Sequence, residues 1–233
     1  MDERYAAGSQ TIARETTRDV SREGFLVRTY NHLFGSILLF ILIEWFLFNS
    51  GIAQTLAESM LGVNWLFVLG GFILVSWMAR KVAYSATSVA SQYLALAGFV
   101  LAEAIIFVPM LFMASHYAPG AIQSAGTITL LGFGALTGIA FWTKKDFSFL
   151  GGLLRWGGIL ALLAIVGGVM FGLSLGTWFS VAMVGLAGAA ILYDTQRIIY
   201  DFPEDCHVGA ALELFASVAL MFWYVLRIVS SRD

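Results

Sequence analysis

Residues 177–202 read TWFSVAMVGLAGAAILYDTQRIIYDF, and this stretch decides the fold. Its first part is apolar enough for a membrane-crossing helix, yet Asp194 lies near its end. A charged carboxylate inside such a helix costs roughly 2.5–3.5 kcal/mol, so it needs a partner, a proton or water. Ala190 and Ala187, on the same helical face, allow another helix to approach closely. We interpret Asp194 as the buried functional centre of a membrane bundle. The alternative is a carboxylate that snorkels at the helix end and is neutralised by Arg197.

The composition of the chain indicates a membrane protein. Of its 233 residues 59% are hydrophobic and only 12% are charged, and the mean hydropathy is +0.83. A soluble domain carries about 25% charged residues, so this chain lacks the polar surface that water requires. The single cysteine, Cys206, excludes an intramolecular disulfide and disfavours a cysteine-based metal site. The net charge of −2 predicts no nucleic-acid partner.

Apolar runs predict an all-α polytopic membrane protein whose transmembrane domain covers residues 28–233. Residues 1–27, where acidic and arginine residues alternate, are expected to form a solvated cytoplasmic tail, helical near the membrane and poorly ordered at its start. The lipid bilayer is therefore the first predicted partner. The seven expected spans are 28–49, 63–79, 88–114, 121–142, 150–174, 177–200 and 209–229.

Basic residues predict the orientation of these spans. They precede the first span and follow the second, fourth and sixth, whereas residues 50–62, 115–120 and 174–177 contain neither Lys nor Arg. Because basic residues stay on the cytoplasmic side, the N-terminus is predicted inside and the C-terminus outside. Arg227 and Arg232 oppose this orientation, and a six-span chain with a re-entrant last segment is the alternative.

Polar residues inside the spans are the candidates for function. At about 1.5 Å of rise per residue, Asp194, Glu213 and Arg80 fall in one layer, with Glu103 deeper in the membrane and Ser217 one turn beyond Glu213. Carboxyl groups that face each other in a low dielectric cannot both ionise cheaply, so such a cluster predicts a proton-sensitive latch. Carboxylates also suit calcium, and Asp194 with Glu213 would be transient ligands. The plainer interpretation is a hydrated Glu213 and a protonated Glu103 in the core.

Several segments resemble the Bax inhibitor-1, or transmembrane Bax-inhibitor-motif, family, and the likeness is to its bacterial branch. They are SREGFLVRTY at 21–30, TKKDFS at 143–148 followed by Gly151, AEAIIFVP at 102–109, LYDTQ at 192–196 and ALELF at 211–215. The resemblance implies seven transmembrane helices with the last one central, a pH-sensitive calcium leak, and a cytoprotective or stress role. It also implies a bacterial inner-membrane location and, in some relatives, a link to a membrane protease.

The family's functional residues can be placed on this chain by the same resemblance. Asp194 matches the first carboxylate of the pH-sensing pair, and Arg80 matches the arginine that latches it. The second carboxylate falls on Ser217, which is a departure from the family pattern. Three explanations stay open: Glu213 replaces it, Glu103 replaces it, or the pair is lost.

Other classes of membrane protein fit the sequence less well. Tyr193-Asp194 matches half of an intramembrane aspartyl protease, but the seventh span contains no aspartate. The histidines and Cys206 are too scattered for a zinc hydrolase. We therefore expect no enzyme and no cofactor. The sequence favours a cation leak, for calcium or related ions, gated by buried carboxyl groups; the alternative is a non-conducting regulator that binds a membrane protease or another partner.

Overall fold

The computed structural model describes residues 2–85, 88–143 and 145–231, with side chains described at 21–84, 88–143 and 145–231. This part of the chain consists of helices joined by short connections and contains no strand. The helices are α1 (Asp2–Asn49), α2 (Ile52–Leu61), α3 (Trp65–Ser85), α4 (Val89–Tyr117), α5 (Ala121–Trp142), α6 (Leu150–Phe171), α7 (Gly176–Tyr200) and α8 (His207–Ser230).

Seven of the helices are long and apolar enough to cross a membrane, namely α1 from Ser21 onward and α3 to α8. The predicted all-α fold with seven spans is therefore confirmed. Helices α3, α5 and α7 end, and α8 begins, at the same end of the bundle. We call it the "basic end", because Arg80, Lys81 and Arg197 lie there.

The connection at 50–62, between the first two predicted spans, contains the short helix α2. Gly51 has φ 76°, a left-handed conformation that glycine adopts without a Cβ penalty, and it turns the chain back after α1. Ala53 and Ala57, one turn apart, are buried beside Val108 of α4. Small side chains on one face thus hold α2 against the bundle instead of leaving a free loop.

Helix α8 is the central element, as the resemblance implied. It packs against α1, α3, α4, α5 and α7. Its first turns contain Gly209, Ala210 and Ala211, and an added Cβ on Gly209 would lie 3.4 Å from the Ala83 carbonyl oxygen. Such small residues allow close backbone approach where lipid provides no hydrophobic drive between helices. In contrast, α6 and α3 are peripheral, with only 6% and 11% of their apolar windows buried within the protein.

The start of the first span is attached to the end of α7. Helix α1 continues without a break across residue 27, and Phe25 is fully buried, although the sequence predicts a solvated tail up to that position. The Arg22 guanidinium donates hydrogen bonds to the carbonyl oxygens of Ile198, Ile199 and Phe202, at 2.6, 2.8 and 2.5 Å. The last carbonyls of a helix lack intrahelical donors, so Arg22 supplies them and ties α1 to α7.

Candidate functional site

A large open cavity runs between α3 and α6, with α4, α7 and α8 forming its floor, and its volume is about 1230 Å³. All five residues singled out from the sequence line it: Arg80 from α3, Glu103 from α4, Asp194 from α7, and Glu213 and Ser217 from α8. Four helices thus bring together side chains that lie up to 137 residues apart in the sequence.

The first contact in this cluster is an ion pair between Arg80 and Glu213. The Tyr84 hydroxyl, one turn after Arg80, donates a second hydrogen bond to the other Glu213 oxygen at 3.2 Å. The Glu213 side chain is 16% exposed, whereas that of Arg80 is 42% exposed and reaches across the cavity. Helix α3 is therefore tied to α8 by two polar contacts on one carboxylate.

Asp194 makes the second contact. It is buried, and the Ser217 hydroxyl donates a hydrogen bond of 2.6 Å to its Oδ2 atom. Arg197 instead stacks over the rings of Tyr193 and Phe202, at 5.5 and 4.9 Å from their centroids. The structure therefore places Asp194 inside the bundle with Ser217 as its partner, which disagrees with a snorkelling carboxylate neutralised by Arg197.

Glu103, on α4, is the third carboxyl group of the cluster. Helix α4 is one of the two most buried spans, and the Glu103 side chain on it is only 7% exposed. Arg80 lies near enough to act electrostatically on Glu103, and Arg80, Arg197 and Glu213 do the same on Asp194. Arg80 is therefore the cation that the three acidic groups share, although its direct partner is Glu213.

Glycines set the distance between α6 and α7 beside Asp194. A Cβ added to Gly151 would lie 2.9 Å from the Tyr193 hydroxyl oxygen, and one added to Gly157 would lie 2.7 Å from a Leu186 methyl carbon. Real Cβ atoms do not approach other atoms so closely, so a larger residue at either position would require the Tyr193 or the Leu186 side chain to shift. The close contact fixes Tyr193, and with it the neighbouring Asp194, against the first turns of α6.

The TKKDFS and YDTQ segments meet at the basic end. Gln196 Oε1 accepts a hydrogen bond of 2.7 Å from the Phe147 amide, and its Nε2 atom donates to the Lys145 carbonyl at 3.3 Å. Asp146 accepts a 2.8 Å bond from the Ser148 amide, which holds the pKa of this exposed carboxyl below its usual value. The first motif is thus a loop, and the second supplies Gln196, which holds this loop near the cavity.

Calcium ligation by Asp194 and Glu213 would require these groups to leave their present partners. Within the described ranges, no group of three or more His, Cys, Asp or Glu side chains is arranged around a common metal position. Asp194 is engaged by Ser217 and Glu213 by Arg80. Both carboxylates are therefore engaged by protein side chains in this structure.

Two further arginines line the cavity, Arg155 on α6 and Arg227 on α8. Arg227 was noted from the sequence only for its bearing on orientation, and Arg155 was not noted at all. Arg155 had a detectable signal, since an arginine inside an apolar span is rare and marks a functional candidate. Tyr84 was missed as well, and no pattern in the sequence distinguishes it from an interfacial tyrosine.

Comparison with known proteins gives the family. The family described as "Inhibitor of apoptosis-promoting Bax1" matches residues 22–233. An uncharacterised protein of Neisseria meningitidis is 27% identical over 221 residues, covering 94% of this chain and 95% of the relative. The BI1-like protein of Arabidopsis thaliana is 33% identical over 48% of this chain and 46% of its own length. The modulator of FtsH protease YccA of Escherichia coli is 32% identical over 45% of this chain and 49% of its own length. With seven helices able to span a bilayer, the chain is an integral membrane protein that belongs to the Bax inhibitor-1 family.

Proposed function

We propose that this protein passes calcium or related cations across the membrane under the control of protons. One observation carries the proposal: three carboxyl side chains from three helices, Glu103, Asp194 and Glu213, line a single open cavity within the membrane-spanning bundle. Ionisable groups inside a membrane are costly and mark ion or proton pathways. Their oxygens are the ligands that calcium prefers.

The ion pair between Arg80 and Glu213 is the proposed latch. Arg80 and Tyr84 of α3 form hydrogen bonds to Glu213, and Asp194 of α7 and Glu103 of α4 interact electrostatically with the pair. When the carboxyl cluster takes up a proton, less negative charge remains to hold Arg80, and α3 is released from α8. A contribution of about 1.4 kcal/mol to the closed state would change the open-to-closed ratio about tenfold. Cations then reach Glu103 and Asp194.

The proposed location follows from charge and from the bacterial relatives. Arg80, Lys81, Lys145 and Arg197 lie at the basic end, which favours that end in the cytoplasm. The N-terminus would then be cytoplasmic and the C-terminus outside. YccA is named an inner membrane protein in one Escherichia coli strain, which supports a bacterial inner-membrane location here. A cytoprotective or stress role belongs to the same proposal and rests on the family alone.

Calcium flux into liposomes that contain the purified protein tests the proposal, measured from about pH 8 to about pH 6. We expect a protein-dependent flux whose pH response is lost in Asp194→Asn and weakened in Glu213→Gln. Glu103→Gln shows whether the third carboxyl group takes part. Asp146→Asn is the matched control, because this exposed carboxyl lies outside the cavity and its lowered pKa keeps it ionised over the same range. A folded protein without flux at any pH would overturn the proposal.

A second candidate function is a non-conducting regulator of a membrane protease. It is favoured by the name of one relative, the modulator of FtsH protease, whose match covers about half of each chain. Under this alternative the purified protein shows no flux, yet its addition to a membrane-embedded protease of that class changes the rate of substrate degradation. A pH-dependent flux abolished by Asp194→Asn would decide against it as the sole function.

A further inference from the structure

One wall of the cavity carries a cation that the carboxylate cluster does not use. Arg155 lies on α6, is exposed, and lines the cavity. Among the residues that the structure describes, no acidic side chain forms an ion pair with it. The same face of α6 continues through Gly158, Leu162 and Ile165, at spacings of three and four residues. Arg155 therefore stands at one end of an apolar groove.

Arg197 of α7 provides a second cation close to the same place. Gly151 packs on the Tyr193 hydroxyl, Arg155 lies one turn after Gly151, and Arg197 lies one turn after Tyr193. Helices α6 and α7 run in opposite directions, and helical side chains lean towards their own N-terminus. The Arg155 side chain thus leans towards the basic end, where the Arg197 guanidinium lies 5.5 Å from the Tyr193 ring centroid and 4.9 Å from that of Phe202.

The dimensions of the groove fit a chain molecule. Its volume of about 1230 Å³ exceeds the roughly 300–1,000 Å³ of pockets that hold small molecules. Along α6 it extends from Gly151 to Val169, or about 27 Å, close to the roughly 30 Å of a bilayer's hydrocarbon core. Its two outer walls, α3 and α6, are the spans least buried in the protein and contact each other at few positions. The opening between them therefore faces lipid.

We propose that this groove binds an anionic phospholipid from the leaflet at the basic end. Its phosphate would lie between Arg155 and Arg197, and one acyl chain would follow Leu162 and Ile165, opposite Ile73 of α3. Basic pockets between spans recognise anionic headgroups, and the planar guanidinium fork matches phosphate oxygens. Of the acids that line the cavity, Glu213 is paired with Arg80, and Asp194 and Glu103 are buried in its floor. The proposal does not depend on cation flux.

Lipid titration followed by native mass spectrometry tests it on the full chain in detergent. We expect wild type to hold one molecule of phosphatidylglycerol in preference to phosphatidylethanolamine. Arg155→Gln should weaken phosphatidylglycerol binding about fivefold, which equals the ~1 kcal/mol of one arginine near a membrane surface. Arg155→Lys should keep part of the preference, because it keeps the charge without the fork. Equal binding of the two lipids by wild type would overturn the proposal.

Two further variants separate the headgroup from the acyl chain. Arg227→Gln removes the cation near the far end of the cavity and should leave binding unchanged. Gly158→Leu fills the groove, where an added Cβ meets nothing within 4 Å, so the protein should fold and bind both lipids less well. An excess of inorganic phosphate should not compete. Competition by phosphate, or unchanged binding in Gly158→Leu or in Arg155→Gln with normal thermal unfolding, would contradict a lipid in the groove.

Discussion

The ion pair between Arg80 and Glu213 is open to a direct energetic test with Arg80→Gln, Glu213→Gln and the double variant. Each single change removes one charge of the pair and leaves the other in the cavity. After Arg80→Gln, Glu213 would keep only the Tyr84 hydroxyl, 3.2 Å away, whereas after Glu213→Gln the more exposed Arg80 would keep solvent and the attraction of Glu103 and Asp194. We therefore expect Arg80→Gln to be the more disruptive of the two single variants, because it leaves a largely buried carboxylate without its cation.

The magnitude follows from the exposure of the two side chains. Fully exposed ion pairs contribute about 0.2–1 kcal/mol, and breaking a fully buried pair costs about 3–5 kcal/mol. Glu213 is 16% exposed, which places it near the buried limit. Arg80 is 42% exposed, so the energy of the pair must be reduced for screening by solvent. We expect a coupling free energy of about 1–2 kcal/mol between the two residues. It corresponds to a change of about five- to thirtyfold in an equilibrium constant.

A double-mutant cycle measures this coupling. The free energy of unfolding in mixed micelles is determined for wild type, both single variants and the double variant, and flux through liposomes is recorded in parallel. Coupled residues show effects that do not add, and the double variant should be less destabilised than the sum of the single ones. Additive effects, within about 0.3–0.5 kcal/mol, would refute the reasoning that Arg80 acts through Glu213.

Three further predictions concern the surroundings of the cluster. Gly151→Ala should lower the melting temperature, because its Cβ would meet the Tyr193 hydroxyl at 2.9 Å. The adjacent Gly152→Ala, whose Cβ would have nothing within 4 Å, should be neutral or stabilise the protein by up to about 1 kcal/mol. Equal shifts of the melting temperature in the two variants would contradict this packing. Ser217→Asp should place two carboxyl groups within hydrogen-bonding distance and steepen the pH dependence of flux, while Ser217→Asn should not; identical pH profiles would argue against shared protons. In intact cells a membrane-impermeant maleimide should label Ser50→Cys in a Cys206→Ser background but not native Cys206. In broken cells Cys206 should react faster as the pH rises, because burial and the neighbouring Asp205 raise the pKa of its thiol; labelling of Cys206 in intact cells would reverse the proposed orientation.

The spans and the members of the cluster were predictable from the sequence for simple reasons. An apolar run long enough to cross a bilayer has few alternative structures, because every backbone polar group must be satisfied within the segment. Carboxyl groups in such runs are costly, so Asp194 and Glu103 stand out without any structure. The helical rise per residue gives the depth of each side chain in the membrane, and it predicts Asp194, Glu213 and Arg80 in one layer. The structure places these three residues around one cavity.

The pairing of these residues was not predictable, because depth gives no rotation of one helix about another. Glu213 and Ser217 are one turn apart on the same face of α8, and either could face Asp194. In the structure, Ser217 forms a hydrogen bond to Asp194, and Glu213 forms an ion pair with Arg80. Arg22 was unpredictable for a similar reason. Its three carbonyl partners lie about 180 residues away, and charges in a polar N-terminal segment usually remain solvated.

The distribution of these contacts indicates which wall of the cavity can move. The end of α7, next to Asp194, is held by Arg22 on its last carbonyls, by Gln196 on the 145–148 loop, and by Tyr193 against Gly151. Helix α3 packs mainly on α4, and the charged contact between its cavity face and α8 is Arg80 with Glu213. Loss of that single ion pair would therefore displace Arg80 and α3 rather than Asp194 and α7. Under the proposed function, the carboxylate of Asp194 would thus stay in place while Arg80 moves away from it, which is the arrangement that a proton-controlled pathway requires.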